Sequence, residues 1–383
     1  MKPYLLVSGD FVKTGGMDRA NYALASYLAR HGRDVHLVAY RVAEDLLSLP
    51  KIHFHHVPKL AKSYLLSSPL LNRVGRLWAA RIEALGGHVV VNGGNCRWND
   101  VNWVHHVHSA DRPWMHGSPL RRMKIWLSHR LALTAESAVI PSARLVLTSC
   151  SRTKNDIMKR LGVSADRVVS VMYGVDSGLF YPLDAPQRTQ VRAKLGWPPG
   201  RPTLIFIGEL GDARKGFDTL YRAWANLCSE PGWDAHLVVI GRGAGAAIWK
   251  NRARREGLSE RMEFLGFVKD FPDVLAASDA LVLPSRYEGY SLVTQEALAC
   301  GLPAFVTQTA GISERYPDEL KQLLIPDPND PADLARRLGR WRQNMTQYKA
   351  DVTGLSDRLR SYSWDDMAEK IVAAIEGPRS RAS

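Results

Sequence analysis

Short apolar runs recur along this chain, each followed by a loop and a segment with helical periodicity, and this alternation restricts the fold most strongly. The runs begin with Tyr4–Val7 in the first half and with Thr203–Ile207 in the second. Apolar runs of this length between helical segments are typical of parallel strands that are buried on both faces. The sequence therefore predicts an α/β fold built from parallel sheets.

The two series of runs are separated by a proline-rich segment, 176–202. A chain of 383 residues exceeds one ordinary core and suits two domains of about 150 to 200 residues. We place the first domain at 1–180 and the second at 181–363. Ser363 can cap an amphipathic helix over 364–377, which we expect to pack back on the first domain.

The individual elements can be placed from apolar runs, glycines and helix-start residues. We predict further strands at 35–39, 88–91, 101–107, 144–149, 168–172, 237–240, 263–265, 280–283 and 304–307, and helices near 18–30, 153–161, 190–195 and 292–299.

The positive charge is concentrated in the first half of the chain. Residues 1–170 contain 24 Lys+Arg against 11 Asp+Glu, so they carry the whole net charge of +13. Such asymmetry predicts an anionic partner for the first domain, and both nucleic acid and anionic lipid qualify.

Cysteine usage and the N-terminus indicate where the chain is expected to act. The four cysteines are scattered without a C-x-x-C pair, which favours reduced thiols in the cytoplasm. Asp10 interrupts the start before an apolar signal core could form, and no apolar run approaches the roughly 20 residues that span a bilayer. We expect a cytoplasmic protein whose membrane contact, if present, is peripheral.

The stretch 279–301 carries the strongest chemical signal. A predicted strand leads into a loop with Glu288, and the following helix contains Glu296 among apolar neighbours. A glutamate in such surroundings needs hydroxyl groups or a cation as partners. Taken alone, the pair is also compatible with a solvated helix face and an ordinary loop acid.

Two further loops contain residues suited to phosphate. Gly15 and Gly16 precede the first predicted helix, and Arg214-Lys215-Gly216 precedes a helix in the second half. Backbone amides at a helix start bind anions, and the two cations would add to that attraction. Glycines in a loop are, however, more often simply part of a turn.

The histidines near the end of the predicted strand 101–107 invite a metal interpretation, which we reject. His105 and His106 would point to opposite faces of a strand. His106 and His108 could share a face, but we expect no nearby Cys or acid to complete a metal site with them. We expect His108 to lie at a strand end, facing a cleft between the domains. The alternative is a structural histidine.

The segment 112–133 interleaves cations with tryptophans. The residues concerned are Arg112, Trp114, Arg121, Arg122, Lys124 and Trp126. Such a mixture suits a bilayer interface, where the rings lie among headgroups and the cations meet anionic lipid. The alternative is a basic helix that packs on its own domain.

Several motifs together resemble those of the retaining glycosyltransferases of family 4. They are GGMDR at 15–19, HVH at 106–108, RKG at 214–216, EGYSLVTQEALACGLP at 288–303 and AGISE at 310–314. The resemblance implies the GT-B architecture, with two Rossmann-like α/β domains facing each other across a deep cleft. The E-x7-E segment is the specific part of the match.

The resemblance also implies roles for individual residues. Glu296 corresponds to the residue that holds the ribose hydroxyls, and Glu288 to the one that holds the transferred sugar. The distal phosphate would be bound by Arg214, Lys215, Gly16 and the amides of Gly289, Tyr290, Ser291, Leu292 and Val293. His108 matches the histidine near the reacting centre, and Phe267 marks the residues that meet the base.

Two positions depart from the family pattern. Glu209 stands where the family usually has an arginine that contacts phosphate, and Ala310 replaces a more usual glycine. Departure of a nucleoside diphosphate builds negative charge, which fixed cations, amides or a metal must absorb. Because the chain contains Arg214 and Lys215 but no Asp-x-Asp, we expect metal-independent transfer without a cofactor.

The leading interpretation is a hexosyltransferase that moves a sugar from a UDP- or GDP-sugar to a glycan acceptor. We expect a lipid-linked acceptor on the cytoplasmic face of a membrane, in cell-surface polysaccharide or lipopolysaccharide synthesis. The alternatives are a soluble sugar acceptor, a sugar-nucleotide epimerase and a non-catalytic nucleotide-sugar-binding protein. Nucleic-acid binding would explain the basic half but not the residues of the second half.

Overall fold

The structure is a computed structural model that describes residues 1–111, 113, 117–268 and 271–377. It divides into two compact units, which we call unit 1 and unit 2. Unit 1 comprises Met1–Gly174 together with the C-terminal segment from Ser363, and unit 2 comprises Val175–Tyr362.

The strands in chain order are β1 (Tyr4–Val7), β2 (Asp10–Phe11), β3 (Val35–Ala39), β4 (Arg41–Val42), β5 (Ile52–His56), β6 (His88–Asn92), β7 (Val101–Val104), β8 (Leu145–Thr148), β9 (Val168–Ser170), β10 (Thr203–Ile207), β11 (His236–Ile240), β12 (Met262–Gly266), β13 (Ala280–Leu283), β14 (Ala304–Thr307) and β15 (Leu324–Ile325).

The α-helices are α1 (Gly16–Arg30), α2 (Glu44–Leu47), α3 (Tyr64–Ala84), α4 (Pro119–Val139), α5 (Ser151–Leu161), α6 (Ala185–Lys194), α7 (Phe217–Cys228), α8 (Ala246–Arg255), α9 (Phe271–Ala277), α10 (Leu292–Ala299), α11 (Pro331–Gln343), α12 (Met345–Asp351), α13 (Thr353–Arg360) and α14 (Trp364–Glu376). Within the described ranges, no helix is both long and apolar enough to cross a membrane.

Unit 1 is built on a parallel sheet with the strand order β5-β3-β1-β6-β7-β8-β9. All four residues of β1 are buried, as are those of β6, β7 and β8. Burial on both faces explains why these strands are continuously apolar rather than alternating. The predicted parallel α/β fold is confirmed for this half.

Unit 2 contains a second parallel sheet with the strand order β12-β11-β10-β13-β14-β15. In chain order this is 3-2-1-4-5-6, the order of the dinucleotide-binding Rossmann fold. Successive strands are added on one side of β10 up to β12, and from β13 onwards they are added on its other side, so the strand order reverses between β10 and β13. Ligands of such sheets bind outside the carboxyl ends of the strands at this switch point.

Helix α14 belongs to unit 1, although it follows unit 2 in the chain. Ser363 caps it: the Ser363 hydroxyl accepts the Asp366 N–H at 3.1 Å, and the Asp366 carboxylate accepts the Ser363 N–H at 2.7 Å. The helix packs along α1, where Arg30 pairs with Asp365 at 2.6 Å. A reciprocal cap and an amphipathic face are what Ser363 and the apolar periodicity predict.

Some element boundaries differ from the sequence-based ones. The strand predicted over 101–107 ends at Val104, and the chain then enters a short 3₁₀ turn, His108–Ala110. His108 therefore begins a turn rather than ending a strand. The predicted helix at 190–195 is longer and starts at Ala185, because Asp184 forms a capping box with Gln187.

Candidate active site

The loops after β10 and β13 bring charged side chains of unit 2 into contact. The Lys215 ammonium lies 2.6 Å from a carboxylate oxygen of Glu288, and their side chains are only 17% and 13% exposed. The same Glu288 oxygen lies 3.8 Å from the Arg214 guanidinium. The switch point of the sheet thus places two cations beside one carboxylate, as β10 and β13 are neighbouring strands.

Ionisation of Glu288 depends on these cations. Burial opposes the charged form, but Lys215 and Arg214 outweigh burial and hold the pKa of this carboxyl below its usual range. The Ser285 hydroxyl adds a weak hydrogen bond at 3.5 Å. Glu288 is therefore a fixed anion at neutral pH, able to accept hydrogen bonds from hydroxyl groups.

Gly216 is what allows the Arg214-Lys215 turn to approach β13. Its φ is +70°, and a Cβ atom would lie only 1.8 Å from the Pro284 carbonyl oxygen. Any side chain would push the two loops apart. The glycine of the RKG motif is thus a steric requirement of the site.

Arg286 braces the same turn, although the sequence reasoning did not single it out. Its guanidinium forms two bonds of 2.8 Å with the two carboxylate oxygens of Asp218 and also donates to the Ala213 carbonyl. Its backbone N–H donates to the Arg214 carbonyl at 2.7 Å. A bidentate pair of this kind has both strength and a defined orientation. Only the three-dimensional pairing reveals it, because Asp218 lies far away in sequence.

The loop from Glu288 to the start of α10 is held in an unusual conformation. Ser291, the residue that precedes the helix, has φ +88° without being a glycine. Its hydroxyl lies 2.7 Å from that of Thr294. Strained backbone of this kind persists when the surrounding structure enforces it, and it concentrates at functional sites.

The segment 310–314 supports this loop from the side. The Gly311 N–H donates to the Glu288 carbonyl at 3.2 Å, and the Ile312 N–H donates to the Tyr290 carbonyl at 2.9 Å. The AGISE motif therefore braces the segment that carries Gly289 and Tyr290. The first-turn amides of α10, at Leu292 and Val293, lie directly after this braced segment.

Glu296 lies in the second turn of α10 and is only 4% exposed. Its burial agrees with the sequence argument that this glutamate needs polar partners.

The loops that follow β11 and β12 contain a cation and an aromatic ring. The Arg242 guanidinium lies 4.7 Å from the centre of the Phe267 ring, and that ring is exposed. Gly241 approaches the Gly208 carbonyl so closely that a Cβ atom would lie 1.8 Å from its oxygen. Glu209, in the next position, is exposed.

The remaining predicted binding residues belong to unit 1. Gly16 is the first residue of α1, preceded by Gly15 with φ +86°. His108 is partly buried in the turn after β7, and its backbone N–H donates to a Glu136 carboxylate oxygen at 2.6 Å. Glu136 is a second functional candidate that the sequence reasoning missed, since it appears as the lone acid of a basic helix.

Helix α4 contains most of the predicted membrane-facing residues. Trp126 and Leu120 are exposed, as are Arg122 and Lys124, whereas Arg121 is partly exposed. Arg112 and Trp114 lie outside the described residues. In the part of the chain that the structure describes, no group of three or more His, Cys, Asp and Glu side chains could hold a metal ion.

Comparison with known families agrees with the fold. The model of the group 1 glycosyl transferases matches residues 201–344, and that of Glycosyltransferase Family 4 matches residues 14–179. Together the two matches span most of the chain.

Sequence relatives include two D-inositol 3-phosphate glycosyltransferases. The protein from Salinispora tropica is 27% identical over 96% of this chain and 83% of its own length. That from Thermomonospora curvata is 29% identical over 65% of this chain, and the match spans only 60% of the relative's length.

Solved structures share the fold at lower identity. The sucrose-phosphate synthase from Thermosynechococcus elongatus superimposes with a TM-score of 0.76 at 19% identity, covering 97% of this chain and 98% of that one. The Anabaena protein HepE in complex with UDP-glucose gives a TM-score of 0.71 at 17% identity, covering 98% and 100%.

The two α/β units with parallel sheets have the GT-B fold of these structural neighbours. The two family matches define the class of the protein as a glycosyltransferase. The chain belongs to the family 4, or group 1, glycosyltransferases.

Proposed function

We propose that the protein transfers a sugar from a nucleoside diphosphate sugar to a glycan acceptor, with retention of the anomeric configuration. The observation that carries this proposal is the pairing of Lys215 with Glu288 at the switch point of unit 2, at 2.6 Å. A cation and an anion side by side suit a donor whose diphosphate is negative and whose sugar presents hydroxyl groups.

In this mechanism each residue acts on a different part of the donor. Lys215 and Arg214 bind the diphosphate and stabilise the negative charge that grows as the bond to the sugar breaks. Glu288 accepts hydrogen bonds from the sugar hydroxyls, and Glu296 accepts those of the ribose. His108 acts near the reacting centre, and Phe267 with Arg242 provides a flat surface for the base.

We further propose that no metal takes part. Positive charge at fixed positions comes from the Arg214 guanidinium, the Lys215 ammonium and the first-turn amides of α10. This is the electrostatic contribution that a bound cation would otherwise make. The named ligand of the HepE structure, UDP-glucose, supports a UDP-sugar as the first donor to test.

The test is incubation of the full chain with a panel of UDP- and GDP-sugars, in one series with EDTA and in a second series with added magnesium or manganese. Slow release of nucleoside diphosphate is expected from one of them, with water taking the place of the missing acceptor. Lys215→Ala should lower that rate by about 30- to 1000-fold, the loss of about 2–4 kcal/mol of charge-assisted stabilisation. No release from any donor would refute the proposal. Release that requires added magnesium or manganese would refute its metal-free part.

We propose that the acceptor is lipid-linked and that α4 docks unit 1 on an anionic membrane. The helix exposes Leu120, Met123, Trp126 and Leu127, and the Arg130 guanidinium lies 5.5 Å from the Trp126 ring. Exposed apolar side chains among cations are typical of helices that lie in a headgroup region. Each cation near such a surface contributes about 1 kcal/mol.

Vesicle co-sedimentation tests the docking. Binding should require anionic lipid, weaken as salt rises and fall when Arg121, Arg122 and Lys124 are all changed to Ala. A matched control is the triple change of Arg336, Arg337 and Arg340 on α11, in unit 2. Equal recovery with neutral and anionic vesicles, or none with either, would refute the docking. It would then favour a soluble acceptor, the alternative to which the names of the inositol phosphate and sucrose-phosphate relatives point.

A further inference from the structure

A buried glutamate of α4 holds the turn that carries His108. Glu136 is 2% exposed. One of its carboxylate oxygens accepts a hydrogen bond from the backbone N–H of His108 at 2.6 Å. The other oxygen accepts one from the backbone N–H of Ser109 at 3.1 Å. Two consecutive backbone amides of the same turn are thus bound by the two oxygens of one side chain.

Burial of the Glu136 carboxylate costs free energy, because the charge loses its contact with water. A carboxylate is rarely buried unless hydrogen bonds satisfy it, and here two amides of one turn do so. Bonds from N–H groups to an ionised oxygen are short and roughly twice as strong as neutral ones. Loss of the charge or of either oxygen would free at least one amide and release the turn.

Other charged or titratable groups also face the turn. They are His106 and Asp111 from its own segment, His129 from α4 and Arg160 from α5. Burial lowers the pKa of the His108 imidazole, and the nearby negative charge of Glu136 opposes that effect. Glu136 therefore influences both the position of the turn and the charge state of the ring.

The exposed apolar residues of α4 and the residues of α4 that face the His108 turn lie on opposite sides of the helix. Leu120, Met123 and Leu127 are exposed along one side. By helical spacing of about 100° per residue, His129 and Glu136 fall on the other side, towards the turn. The helix proposed to meet the membrane is thus also the helix that clamps His108.

We propose that Glu136 is a positioning residue, which fixes the His108–Ser109 turn from α4 and holds the imidazole in the orientation used in sugar transfer. The catalytic part of this inference rests on the proposed function of His108. The structural and electrostatic part does not, and it can be tested in the free protein.

The first test is an NMR titration of the His108 ring in the full chain, assigned by comparison with His108→Gln. In Glu136→Gln the negative charge is lost, so the imidazolium is less stable and the titration midpoint should move to lower pH. Glu83→Gln, at an exposed position of α3, is the matched control and should titrate like the wild type. An unchanged midpoint in Glu136→Gln would overturn the proposal.

Amide hydrogen exchange in the wild type needs no variant and remains informative if Glu136→Gln does not fold. The His108 and Ser109 amides should exchange far more slowly than expected for a loop, because both are bonded to a buried carboxylate. Exchange at unprotected rates would overturn the proposed clamp.

Kinetics then separate positioning from binding. With the donor found in the panel, Glu136→Gln should lower kcat about 10- to 100-fold and leave KM for the donor within about threefold. Glu136→Asp, which keeps the charge, should recover part of kcat. A change in KM alone would contradict the positioning role. If the titration shifts but no donor is ever turned over, the clamp stands and the proposed function fails.

Discussion

Removing Lys215 should destabilise unit 2 in a way that depends on pH. Lys215→Met keeps most of the aliphatic side chain but leaves the Glu288 carboxylate without its partner at 2.6 Å. Breaking a buried pair costs about 3–5 kcal/mol, whereas exposed pairs contribute about 0–1 kcal/mol. The two side chains are only 17% and 13% exposed, which is nearer the buried case.

Arg214 reduces the expected cost, because its guanidinium lies 3.8 Å from the same carboxylate oxygen. We therefore expect a loss of about 2–3 kcal/mol in the free energy of unfolding at pH 7. Such a loss lowers the melting temperature by roughly 5–10 °C in a domain of this size.

The pH dependence follows from the pKa of Glu288, which its cations hold below the usual range despite burial. A lowered carboxyl pKa contributes stability that is present above the unfolded value and is lost as pH falls through the folded value. The difference between wild type and Lys215→Met should thus be largest at neutral pH. It should shrink as pH falls below the ordinary glutamate pKa of about 4.3.

Thermal unfolding at several pH values is the assay, with two companions. Lys321→Met removes the exposed Lys321–Asp318 pair, also at 2.6 Å, and should change stability by less than about 1 kcal/mol. Lys215→Met combined with Glu288→Gln should recover most of the stability while remaining inactive. Equal stability of Lys215→Met and wild type at pH 7, or a loss independent of pH, would refute the reasoning.

Three other changes have expected outcomes. Gly216→Ala should cost more than about 2 kcal/mol and abolish nucleotide binding, because the new Cβ meets the Pro284 carbonyl; unchanged melting would contradict this. Burial and a neighbouring carboxylate raise the pKa of Asp18 to about 6, so ionising it costs stability that accumulates as pH rises from the ordinary aspartate pKa of about 3.9 to about 6 and is fully present above that value. Asp18→Asn should consequently raise the melting temperature at pH 8 but not at pH 4, as calorimetry would show. Burial raises the pKa of the Cys96 and Cys300 thiols to about 12, so neither should react with iodoacetamide at pH 8 until the chain unfolds.

Much of the fold could be predicted because the parallel strands are short and apolar. The strand limits predicted for Tyr4–Val7, Thr203–Ile207 and Ala280–Leu283 coincide with those of the structure, since each run is buried on both faces and ends at a polar residue, glycine or proline. We predicted no helix or strand over 41–87, where the structure has β4, α2, β5 and α3. Strand β5 is only half buried and contains three histidines, so it lacks the apolar signal.

The site was predictable only in part. Lys215 and Glu288 could be named from the spacing of motifs, but their direct pairing depends on β10 and β13 being neighbours in the sheet. Strand order is a long-range property that local sequence does not determine. The same limit applies to Arg286 and Glu136, whose partners lie far away in sequence and whose residue types are unremarkable where they stand.

The most direct test of the donor site is calorimetric titration of UDP and GDP, in EDTA, into four forms of the full chain. These are the wild type, Lys215→Met, Glu296→Ala and the control Lys321→Met. We predict that one of the two nucleotides binds the wild type and the control with equal affinity. The same nucleotide should bind Lys215→Met at least about tenfold more weakly, and it should also bind Glu296→Ala more weakly. Equal affinity in all four forms, or no binding of either nucleotide to the wild type, would contradict the assignment of the donor site to these loops.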